Sequence, residues 1–519
     1  MYVETNLLLG LPIQNLNMKE VVKSIHSMVD EYKKDRKPRQ IATVNVDFLV
    51  NTLGWIPGTT RHPELLNILR NADLLTPDGM PIVWSSRFLG NKLKERVPGI
   101  DLVYEIAEMA SNQGISLFLL GGSSTVGETT KNKLNALFPN LDIKGTLAPN
   151  VTVEIERIVD TSDQDKQIVE YINKCNPDIL LIAFGNPKQE LWYARNKHLI
   201  KVPVSIGVGG SFEFIAGTVK RAPTLIQKVG LEWIFRLAME PKRLWKRYLI
   251  GLFKFSFMIL PTIGYQLYRM FLLHLANLLK LNNDINIKEP IEYDTKGVKI
   301  LKLPHVLNAQ KSKEISKEID ELLMGEENIN LDFSNVFYID ASFMGYFIST
   351  YNRARKLDRY IYLAGLNNYV VRYMKLNRIW DIFEPESCSI GKPSAISKNS
   401  YDKKYSFSFK ISKEKDYAVL TMSGSLDITQ LSTFNLDSVT KNMGGGDCII
   451  DLEKLQFVDS FGLTCLLQIH RDLISIGKRC VICSLQKNVR QMFSIFKIDR
   501  SFNISKDLIS AKKTFEANT

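Results

Sequence analysis

The segment TPDGMPIVWSSRFLG, residues 76–90, holds a single carboxylate, Asp78, between two apolar stretches. Proline fixes φ and glycine tolerates a positive φ, so the Pro-Asp-Gly sequence predicts a tight turn with the acid on a rigid rim. A carboxylate held in this way can act as a general base that takes a proton from a substrate hydroxyl. An ordinary turn acid has the same pattern, and the spacing alone does not separate the two.

Four further segments combine a strand-like apolar run with glycine, asparagine, serine or proline. They are TVNVDFLV at 43–50, LLGGSSTVGE at 119–128, FGNPKQELW at 184–192 and GVGGSFEFIAGTVKRAP at 207–223. Gly121 and Gly122, and likewise Gly209 and Gly210, could expose backbone N–H groups and a helix N-terminus to a diphosphate. Taken alone, both pairs resemble plain glycine-rich turns, and the last segment lacks the spacing of a P-loop or a complete G-x-G-x-x-G.

Polar side chains stand at the ends of two predicted strands. Gln189 and Glu190 follow a strand and an Asn-Pro turn, and Asn45 interrupts an apolar strand two residues after Thr43. The Gln-Glu pair suits hydrogen bonds to a uracil edge or to sugar hydroxyls, whereas a polar pair that starts a helix looks the same.

The elements that must position these residues alternate between strands and helices. Apolar runs bounded by glycine predict strands at 41–50, 116–120, 179–184 and 204–208, with helices at 21–34, 100–112, 127–138 and 165–174. This alternation predicts an α/β fold with a Rossmann-like parallel sheet. Ligands of such sheets bind at the carboxyl ends of the strands, where most of the motifs fall.

Five separated motifs in this order resemble the WecG/TagA/CpsF family of bacterial glycosyltransferases over roughly residues 1–250. The resemblance implies an inverting transfer with Asp78 as the base, and a cleft lined by Thr43 and Asn45. It implies that the substrates are bound by the remaining motif residues Arg96, Asp101, Gly121, Gly122, Gln189, Glu190, Gly209, Gly210 and Arg221. Arg96 would pair with phosphate oxygens, although a surface cation is the alternative.

The resemblance further implies a UDP-sugar donor, such as UDP-N-acetylmannosamine, and a polyprenyl-diphosphate-linked sugar as acceptor. The product would enter a surface polysaccharide or a teichoic-acid-like polymer. A non-catalytic nucleotide-sugar sensor is the alternative, and the presence of Asp78, Asn45, Gln189 and Arg96 disfavours it.

Metal ligands are not evident in the sequence. The six histidines show no ligand spacing, and Asp163 and Asp165 lie in a polar run typical of a solvated helix start. Cys480 and Cys483 lie in an apolar run that predicts a strand, where positions i and i+3 face opposite sides. We therefore expect no cofactor and no metal, with leaving-group charge neutralised by arginine and helix dipoles.

The net charge of +12 is explained largely by residues 220–280. Arg236, Arg243 and Arg247 are spaced so that they share one line along an ideal helix, unless Pro241 breaks it. This basic face, interleaved with aromatic residues, suits an anionic membrane surface or the pyrophosphate of a lipid carrier, and a structural amphipathic helix is the alternative. No nucleic-acid recognition motif accompanies the charge.

A strongly apolar stretch follows the basic one. Its longest uncharged run, residues 255–268, has 14 residues and contains Pro261, whereas a membrane span needs about 20 residues. The pattern predicts an interfacial or re-entrant anchor, and a true span stays open.

The last 230 residues contain an internal repeat with an offset of 119 residues. Residues 329–347 match 448–466, which places Asp340 opposite Asp459. The two copies resemble STAS domains, the small α/β modules of anti-sigma-factor antagonists. The resemblance makes Ser342 the weak counterpart of their phosphorylated serine, but Phe343 and Phe461 depart from the motif. Docking of an unidentified protein partner, or of the copies to each other, is the alternative.

A chain of 519 residues is too long for one core, and these patterns divide it into four parts. We expect a glycosyltransferase domain at 1–247, a membrane-associating segment at 248–285, and STAS-like domains at 291–386 and 404–515. The amino end lacks an export signal pattern and six cysteines fit a reducing compartment, so we expect a cytoplasmic protein, peripheral on the inner face of the cell membrane. A homo-oligomer stays open.

Overall fold

The computed structural model divides the chain into two compact units, one of residues Met1–Val151 and Asp163–Ala395, the other containing Ile396–Thr519. The residues that the structure describes are 3–57, 59–149, 163–228, 230–278, 292–293, 299–325, 329–357, 359, 361–383, 388–390, 407–414, 417–426, 447–458, 460–486, 489–490, 493 and 502–516. The sequence has polar segments around 282–293 and 387–404 that are typical of linkers between domains, and they lie mostly outside these residues.

The amino-terminal part of the first unit alternates strands with helices, as the sequence predicts. Its strands are β1 Thr5–Leu8, β2 Leu11–Gln14, β3 Arg39–Val44, β4 Leu74–Pro77, β5 Ser116–Gly121, β6 Asp142–Leu147, β7 Ile179–Ala183 and β8 Val204–Gly207. Its helices are α1 Met18–Asp35, α2 Val46–Thr52, α3 Pro63–Arg70, α4 Met80–Ser86, α5 Gly99–Gln113, α6 Ser124–Leu137, α7 Asp163–Cys175, α8 Lys188–Asn196 and α9 Ser211–Ala216.

Six of these strands form one sheet in the order β4-β3-β8-β7-β5-β6. All neighbouring pairs are parallel, and β1 and β2 form a separate antiparallel hairpin. From β3 the chain passes to β4 on one side and then crosses to β5 on the other, so the order reverses beside β3. Such a switch point leaves a crevice at the carboxyl ends of the strands. The predicted α/β fold with a Rossmann-like parallel sheet is confirmed.

One predicted strand is wrong in its second half. The expected strand at 41–50 ends at Val44, and residues 46–52 form α2 instead. Asn45 is the cause, because its side-chain oxygen accepts hydrogen bonds from the N–H groups of Asp47 at 3.0 Å and Phe48 at 3.3 Å. This cap satisfies two donors of the first helical turn and favours the helix over a continued strand.

Short helices follow the sheet and lead into one long helix. They are α10 Thr224–Lys228, α11 Glu232–Met239, α12 Pro241–Trp245, a π-helical turn Lys246–Ile250, and α13 Gly251–Leu278. Pro241 opens α12 and so divides the basic segment in two. By length and composition, Lys246–Ala276 qualifies among the described helices as a candidate membrane span, with 28% of its most apolar window buried in the protein.

The first repeat copy completes the first unit. Its elements are β9 Glu292–Tyr293, β10 Lys299–Lys302, β11 Val306–Leu307, α14 Ala309–Met324, β12 Ile329–Asp332, β13 Tyr338–Ile339, α15 Ala341–Lys356, β14 Ile361–Leu366, α16 Asn368–Leu376 and β15 Cys388–Ile390. The strand order is β15-β14-β12-β10-β9, with β9 antiparallel to β10 and the other pairs parallel. One hydrophobic core contains residues of β1, α13 and this copy together, for example Leu7, Phe255 and Phe347.

The second copy forms the other unit, with its own core. Its elements are β16 Ser408–Lys413, β17 Tyr417–Leu426, β18 Asp447–Val458, α17 Ser460–Ser475, β19 Cys480–Cys483, β20 Asn503–Ser505 and α18 Leu508–Glu516, with the sheet order β16-β17-β18-β19-β20. Helices α15 and α17 begin 119 residues apart, as the repeat predicts. Cys480 and Cys483 lie on one strand and belong to different core clusters on its two sides.

Candidate active site at the carboxyl edge of the sheet

The candidate site lies where β3, β4, β7 and β8 end. The Thr43 hydroxyl, at the end of β3, donates to the carbonyl oxygen of Gly207 at the end of β8, at 3.0 Å. Thr43 is buried, so this bond ties together the two strands beside the switch point. The structure therefore brings Thr43, Asn45 and Asp78 to one edge, because they follow the neighbouring strands β3 and β4.

Asp78 lies at the junction of β4 and α4. Its N–H donates to Val44 O at 2.8 Å, which continues the pairing of the two strands by one residue. Gly79 has φ −109° and caps α4, so the expected tight turn with a positive φ is wrong. The acid stands instead at a strand-to-helix junction, and Met80–Ser86 forms a helix with Pro81 in its first turn, where proline is tolerated.

The surroundings of Asp78 have opposing effects on its pKa. Burial raises the pKa of Asp78 above its ordinary value, while the charges of Arg96 and Arg236 oppose the rise. The Glu232 carboxylate adds to the increase, and a hydrogen bond with Asn45 lowers it. A carboxyl group with a raised pKa is a stronger base when ionised, which is the property a general base requires.

Glu232 holds a cluster of guanidinium groups next to this acid. Arg96 donates to its carboxylate at 3.1 Å and Arg236 at 3.2 Å, and Arg221 Nε lies 4.0 Å away. Glu232 is 4% exposed. Although burial alone would raise the pKa of Glu232, the guanidiniums of Arg236, Arg96 and Arg221 hold it below its ordinary value. Three guanidinium groups therefore meet at one buried carboxylate, beside Asp78.

Arg221 and Arg236 each make a further contact outside the Glu232 cluster. Arg221 pairs with Asp101 at 2.6 Å, which brings the first turn of α5 to the cluster. The Arg236 guanidinium stacks on the Phe214 ring at 4.3 Å. Two nitrogens of Arg221 and Nε of Arg236 are buried and have no acceptor among the residues that the structure describes. These donors remain available to a phosphate.

Sequence reasoning missed Glu232. The signal was present, because Glu232 is an acid within a basic segment and precedes Arg236 by four residues, the spacing of a helical ion pair. Its role depends on Arg96, 136 residues away, and no local pattern shows that contact.

Gln189 and Glu190 lie in the first turn of α8, both almost fully buried. Gln189 accepts from Gly209 N–H at 3.0 Å and donates to Glu190 at 2.7 Å. A Cβ at Gly207 would lie 2.7 Å from the Glu190 carboxyl, so glycine is needed for the close approach. Burial raises the pKa of Glu190 to about 8, and within the described part of the chain its second oxygen has no hydrogen-bond partner. Glu190 is therefore largely neutral at pH 7.

Gly121 and Gly122 form the exit from β5. Both have positive φ, +112° and +70°, and a Cβ at Gly121 would lie 2.7 Å from the carbonyl oxygen of Ala183. Ser123 then caps α6 by accepting from Val126 N–H. This turn is at the carboxyl edge, as the motif predicts, and Gly210 similarly precedes α9.

The basic segment touches this edge rather than standing apart from it. Arg247 Nε donates to Asp47 in α2 at 2.7 Å, and Asp47 follows Asn45 by two residues. Arg236 belongs to the Glu232 cluster, and the Arg243 side chain lies outside the described residues. The shared line of three arginines expected from an unbroken helix is therefore divided between two contacts.

Within the described ranges, no three His, Cys, Asp or Glu side chains are grouped so that they could hold a metal ion. Asp163 and Asp165 open α7, where Asp165 accepts from the indole N–H of Trp192 at 2.7 Å.

Ser342 lies in the first turn of α15. It is 0% exposed, and its hydroxyl donates to Asp340 at 2.5 Å. The neighbouring Ala341 N–H donates to Leu89 O, in the amino-terminal half of the unit, at 3.1 Å. A kinase could not reach Ser342 in this arrangement.

Known proteins resemble both halves of the chain. Residues 6–265, half of the chain, match the Glycosyl transferase WecG/TagA/CpsF family, and residues 290–387 and 408–511 match the STAS domain. The N-acetylglucosaminyldiphosphoundecaprenol N-acetyl-beta-D-mannosaminyltransferase of Bacillus subtilis is 29% identical over 48% of this chain and 88% of its own. The Staphylococcus aureus protein of the same name is 29% identical over 48% of this chain and 90% of its own.

Among solved structures, an anti-sigma factor antagonist from Mycobacterium paratuberculosis covers 21% of this chain and 93% of its own, with 18% identity and a TM-score of 0.20. The glycosyltransferase match extends over the whole parallel sheet and the Glu232 cluster. The chain belongs to the WecG/TagA/CpsF family of glycosyltransferases.

Proposed function

We propose that this glycosyltransferase moves a sugar from a UDP-sugar to a sugar linked to polyprenyl diphosphate, in the synthesis of a surface polysaccharide or teichoic-acid-like polymer. The names of the Bacillus and Staphylococcus relatives support an N-acetylmannosamine donor sugar and an N-acetylglucosaminyl-diphospholipid acceptor. The observation that carries the proposal is the pairing of one acid, Asp78, with a guanidinium cluster at the same sheet edge.

Asp78 acts as the general base in this scheme. The acceptor hydroxyl attacks the anomeric carbon, its proton passes to Asp78, and the bond from that carbon to the diphosphate oxygen breaks with inversion. Asn45 orients the carboxylate by its hydrogen bond. In such an inversion the attacking oxygen and the leaving oxygen lie on opposite faces of the sugar.

The guanidinium groups stabilise the charge on the leaving diphosphate. Arg96, Arg221 and Arg236 surround Glu232, whose ionised carboxylate holds them in place before substrate binds. Preorganised charges of this kind stabilise a transition state without the cost of moving them during the reaction. The exit turn with Gly121 and Gly122 offers further N–H groups to the same phosphates.

Gln189 and Glu190 position the donor from the other side of the crevice. Their hydrogen bond fixes the Gln189 amide, which in turn fixes Gly209 ahead of Gly210 and α9. The unpartnered Glu190 oxygen, protonated at neutral pH, is a donor for a sugar hydroxyl or a uracil carbonyl.

The enzyme works at the cytoplasmic face of the cell membrane as a peripheral protein. One side of α13 is packed against protein through Phe255, Met258 and Ile259, and its opposite side exposes large apolar residues such as Phe253 and Phe271. A helix covered on one side and apolar on the other suits the interfacial layer better than a span. Since Arg247 ties this segment to Asp47, the lipid-linked acceptor would enter beside the catalytic edge.

The STAS pair supplies docking or regulation. Ser342 is buried against the enzyme half, so regulation through this residue would first require that contact to open. The second copy forms a compact unit with its own core, which leaves it as the module for an unidentified protein partner.

Incubation of the purified protein with a panel of UDP-sugars and a short-chain polyprenyl-diphosphate N-acetylglucosamine tests the proposal. We expect acceptor-dependent UDP release with one or a few donors. Binding of a UDP-sugar without release, over the whole panel, would contradict transfer and favour the nucleotide-sugar sensor.

A further inference from the structure

A continuous apolar stripe runs along the exposed side of α13. Its residues are spaced so that they recur on one helix face, and several are more than half exposed: Phe253 64%, Phe257 52%, Leu260 60%, Tyr268 55%, Phe271 59% and Leu278 65%. The opposite face is covered, because Thr262 and Gln266 are 3% and 2% exposed and bond to the first STAS domain. A patch of this size on a soluble protein marks an interaction surface.

The loop at 53–61, which follows α2, extends this stripe. Trp55 is 45% exposed and Ile56 65% exposed. The Trp55 ring centroid lies 6.3 Å from that of Phe253 and 5.7 Å from that of Phe257, in edge-to-face contacts. The loop and the helix therefore present one apolar surface rather than two.

The first STAS domain holds this loop in place. Arg378, just after α16, donates to Thr59 O at 3.1 Å and to Trp55 O at 3.2 Å. Arg378 is 4% exposed, so these are buried charge-assisted bonds to backbone carbonyl groups. The position of Trp55 thus depends on the STAS domain.

Helix α16 of the same domain runs antiparallel to α13. Thr262 donates to Leu376 O at 3.2 Å, and the Arg372 guanidinium stacks on the Tyr265 ring at 5.0 Å. Arg372 and Lys375 are both exposed and lie three residues apart on α16. The packing of Arg372 on Tyr265 places this cationic part of the STAS domain beside the apolar stripe.

The charged residues around the apolar surface of α13 and the 53–61 loop indicate what binds to it. Residues 241–278 contain six Lys or Arg and no Asp or Glu, residues 367–380 contain three and none, and residues 53–61 contain one and none. Exposed aromatic residues with an excess of cations around them match the interfacial layer of an anionic bilayer, where aromatic rings sit at headgroup level and each cation gains attraction. A protein partner would have to be almost purely acidic around a large apolar stripe.

We propose that the first STAS domain is part of the membrane-binding surface of this enzyme. Helix α13, the Trp55–Ile56 tip and the cations Arg372 and Lys375 rest together on an anionic bilayer, and the STAS domain keeps α13 in the membrane plane. The proposal rests on the proposed action at a membrane-borne acceptor, but lipid binding can be measured without sugar transfer. Failure of one is therefore distinguishable from failure of the other.

The test is co-sedimentation of full-length protein with vesicles of phosphatidylcholine, with and without phosphatidylglycerol. Each cation near an anionic surface contributes about 1 kcal/mol, so R372Q/K375Q should partition about 30-fold more weakly to the anionic vesicles. The matched control is K313Q/K317Q, which removes two exposed lysines of α14, a helix that packs on α15 and β11 of the same domain. We expect the control to bind as the wild type does.

A second measurement uses lipids brominated at the upper acyl chain. Quenching of tryptophan fluorescence should be smaller in Trp55→Phe than in the wild type, because Trp55 enters the interface. UDP release with the short-chain acceptor should stay at the wild-type level in R372Q/K375Q.

Three results would overturn the proposal. Equal partitioning of R372Q/K375Q and K313Q/K317Q would remove α16 from the membrane surface, provided that both melt as the wild type does. If R372Q/K375Q is misfolded, the quenching measurement decides instead: tryptophan quenching by the brominated lipids that is the same in Trp55→Phe and in the wild type would contradict the membrane-binding surface. Retention of the wild type on vesicles after an alkaline, high-salt wash would mean that α13 spans the bilayer.

Discussion

At the scale of single residues, the site depends on a balance between burial and charge. Burial raises the pKa of Asp78, and the charges of Arg96 and Arg236 oppose this rise. The same arginines lower the pKa of Glu232 and keep it ionised. The two acids therefore have different roles: one is suited to accept a proton and the other to hold cations. Local environment, rather than residue type, makes this division.

Asp78→Asn should lower turnover by about 10² to 10⁴ while leaving UDP affinity nearly unchanged, because it removes a base and no donor contact. It should also raise stability at neutral pH. Above pH 3.8 the folded protein retains a proton at Asp78 that the unfolded chain has lost, so ionisation costs stability as pH rises through the raised pKa. Steady-state UDP release and thermal melts at several pH values measure both effects.

Asp142→Asn, at the amino end of β6, is the matched control for this substitution, since it changes an exposed acid at the opposite edge of the sheet. Both its rate and its melting temperature should stay close to the wild type. Wild-type turnover in Asp78→Asn would remove this acid from the mechanism.

Glu190→Gln should stabilise the fold increasingly between pH 4.5 and about 8, and by a constant amount above that. In this window the folded protein holds a proton that the unfolded chain has released, because burial raises the pKa of Glu190 to about 8. Stability of the wild type therefore falls with rising pH, and the amide has no charge to bury. Chemical denaturation of both proteins across this range measures the difference. A difference that does not vary with pH would contradict a neutral Glu190.

The sequence revealed Asp78, Thr43 and Asn45 because each breaks an apolar run near a strand end, and Gln189 because it follows a strand and an Asn-Pro turn. It did not reveal Glu232, whose role depends on Arg96 in a distant segment as well as on the nearby Arg221 and Arg236. Polar residues that interrupt a strand are visible locally, whereas ion pairs across more than a hundred residues depend on the folded chain.

At the level of secondary structure, local hydrogen bonds determined whether a segment became a strand or a helix where hydrophobic periodicity could not. The run at 41–50 is apolar enough for a strand throughout, yet Asn45 caps a helix at its middle. The four predicted helices at 21–34, 100–112, 127–138 and 165–174 correspond to α1, α5, α6 and α7, because each has an apolar face of helical period. The docking of α15 on β1 had no such local signal.

Gly345→Ala should destabilise the first unit by roughly 1–3 kcal/mol. A Cβ at this position of α15 would lie 2.7 Å from the carbonyl carbon of Thr5 and 2.9 Å from that of Asn6, in β1. Gly264→Ala in α13 is the matched control, because a Cβ there meets nothing within 4 Å. Helix propensity alone favours alanine by about 1 kcal/mol at both sites, so opposite signs are expected.

Denaturant unfolding of the two variants gives the comparison directly. If both substitutions stabilise the protein equally, α15 does not pack on β1 in solution. Such a result would also separate the first STAS domain from the enzyme half.

At the scale of the whole molecule, the first STAS copy is not a tail. Residues of β1, α13 and α15 share one core, and Arg70 of α3 pairs with Asp381 of the STAS copy at 2.8 Å. Sequence comparison finds the repeat but not this contact, because a match to a domain family reflects the pattern within one domain and carries no information on its packing against another. The second copy, with a separate core, is the one that behaves as an independent module.

Truncation separates these two roles. A chain ending at Ala395 should stay soluble, keep the melting transition of the first unit and release UDP at the full-length rate, because the shared core is intact. A chain ending at Lys280 should be poorly soluble or unfolded, since it uncovers the apolar surfaces of β1 and α13 that the first STAS copy buries. Thermal melts, size-exclusion chromatography and UDP release with a soluble acceptor compare both with the full chain.

If the chain ending at Lys280 is monomeric, melts cooperatively and transfers sugar, the first STAS copy is separable after all. Loss of transfer in the chain ending at Ala395, despite an unchanged melt, would instead assign the second copy to the active site or to a required oligomer.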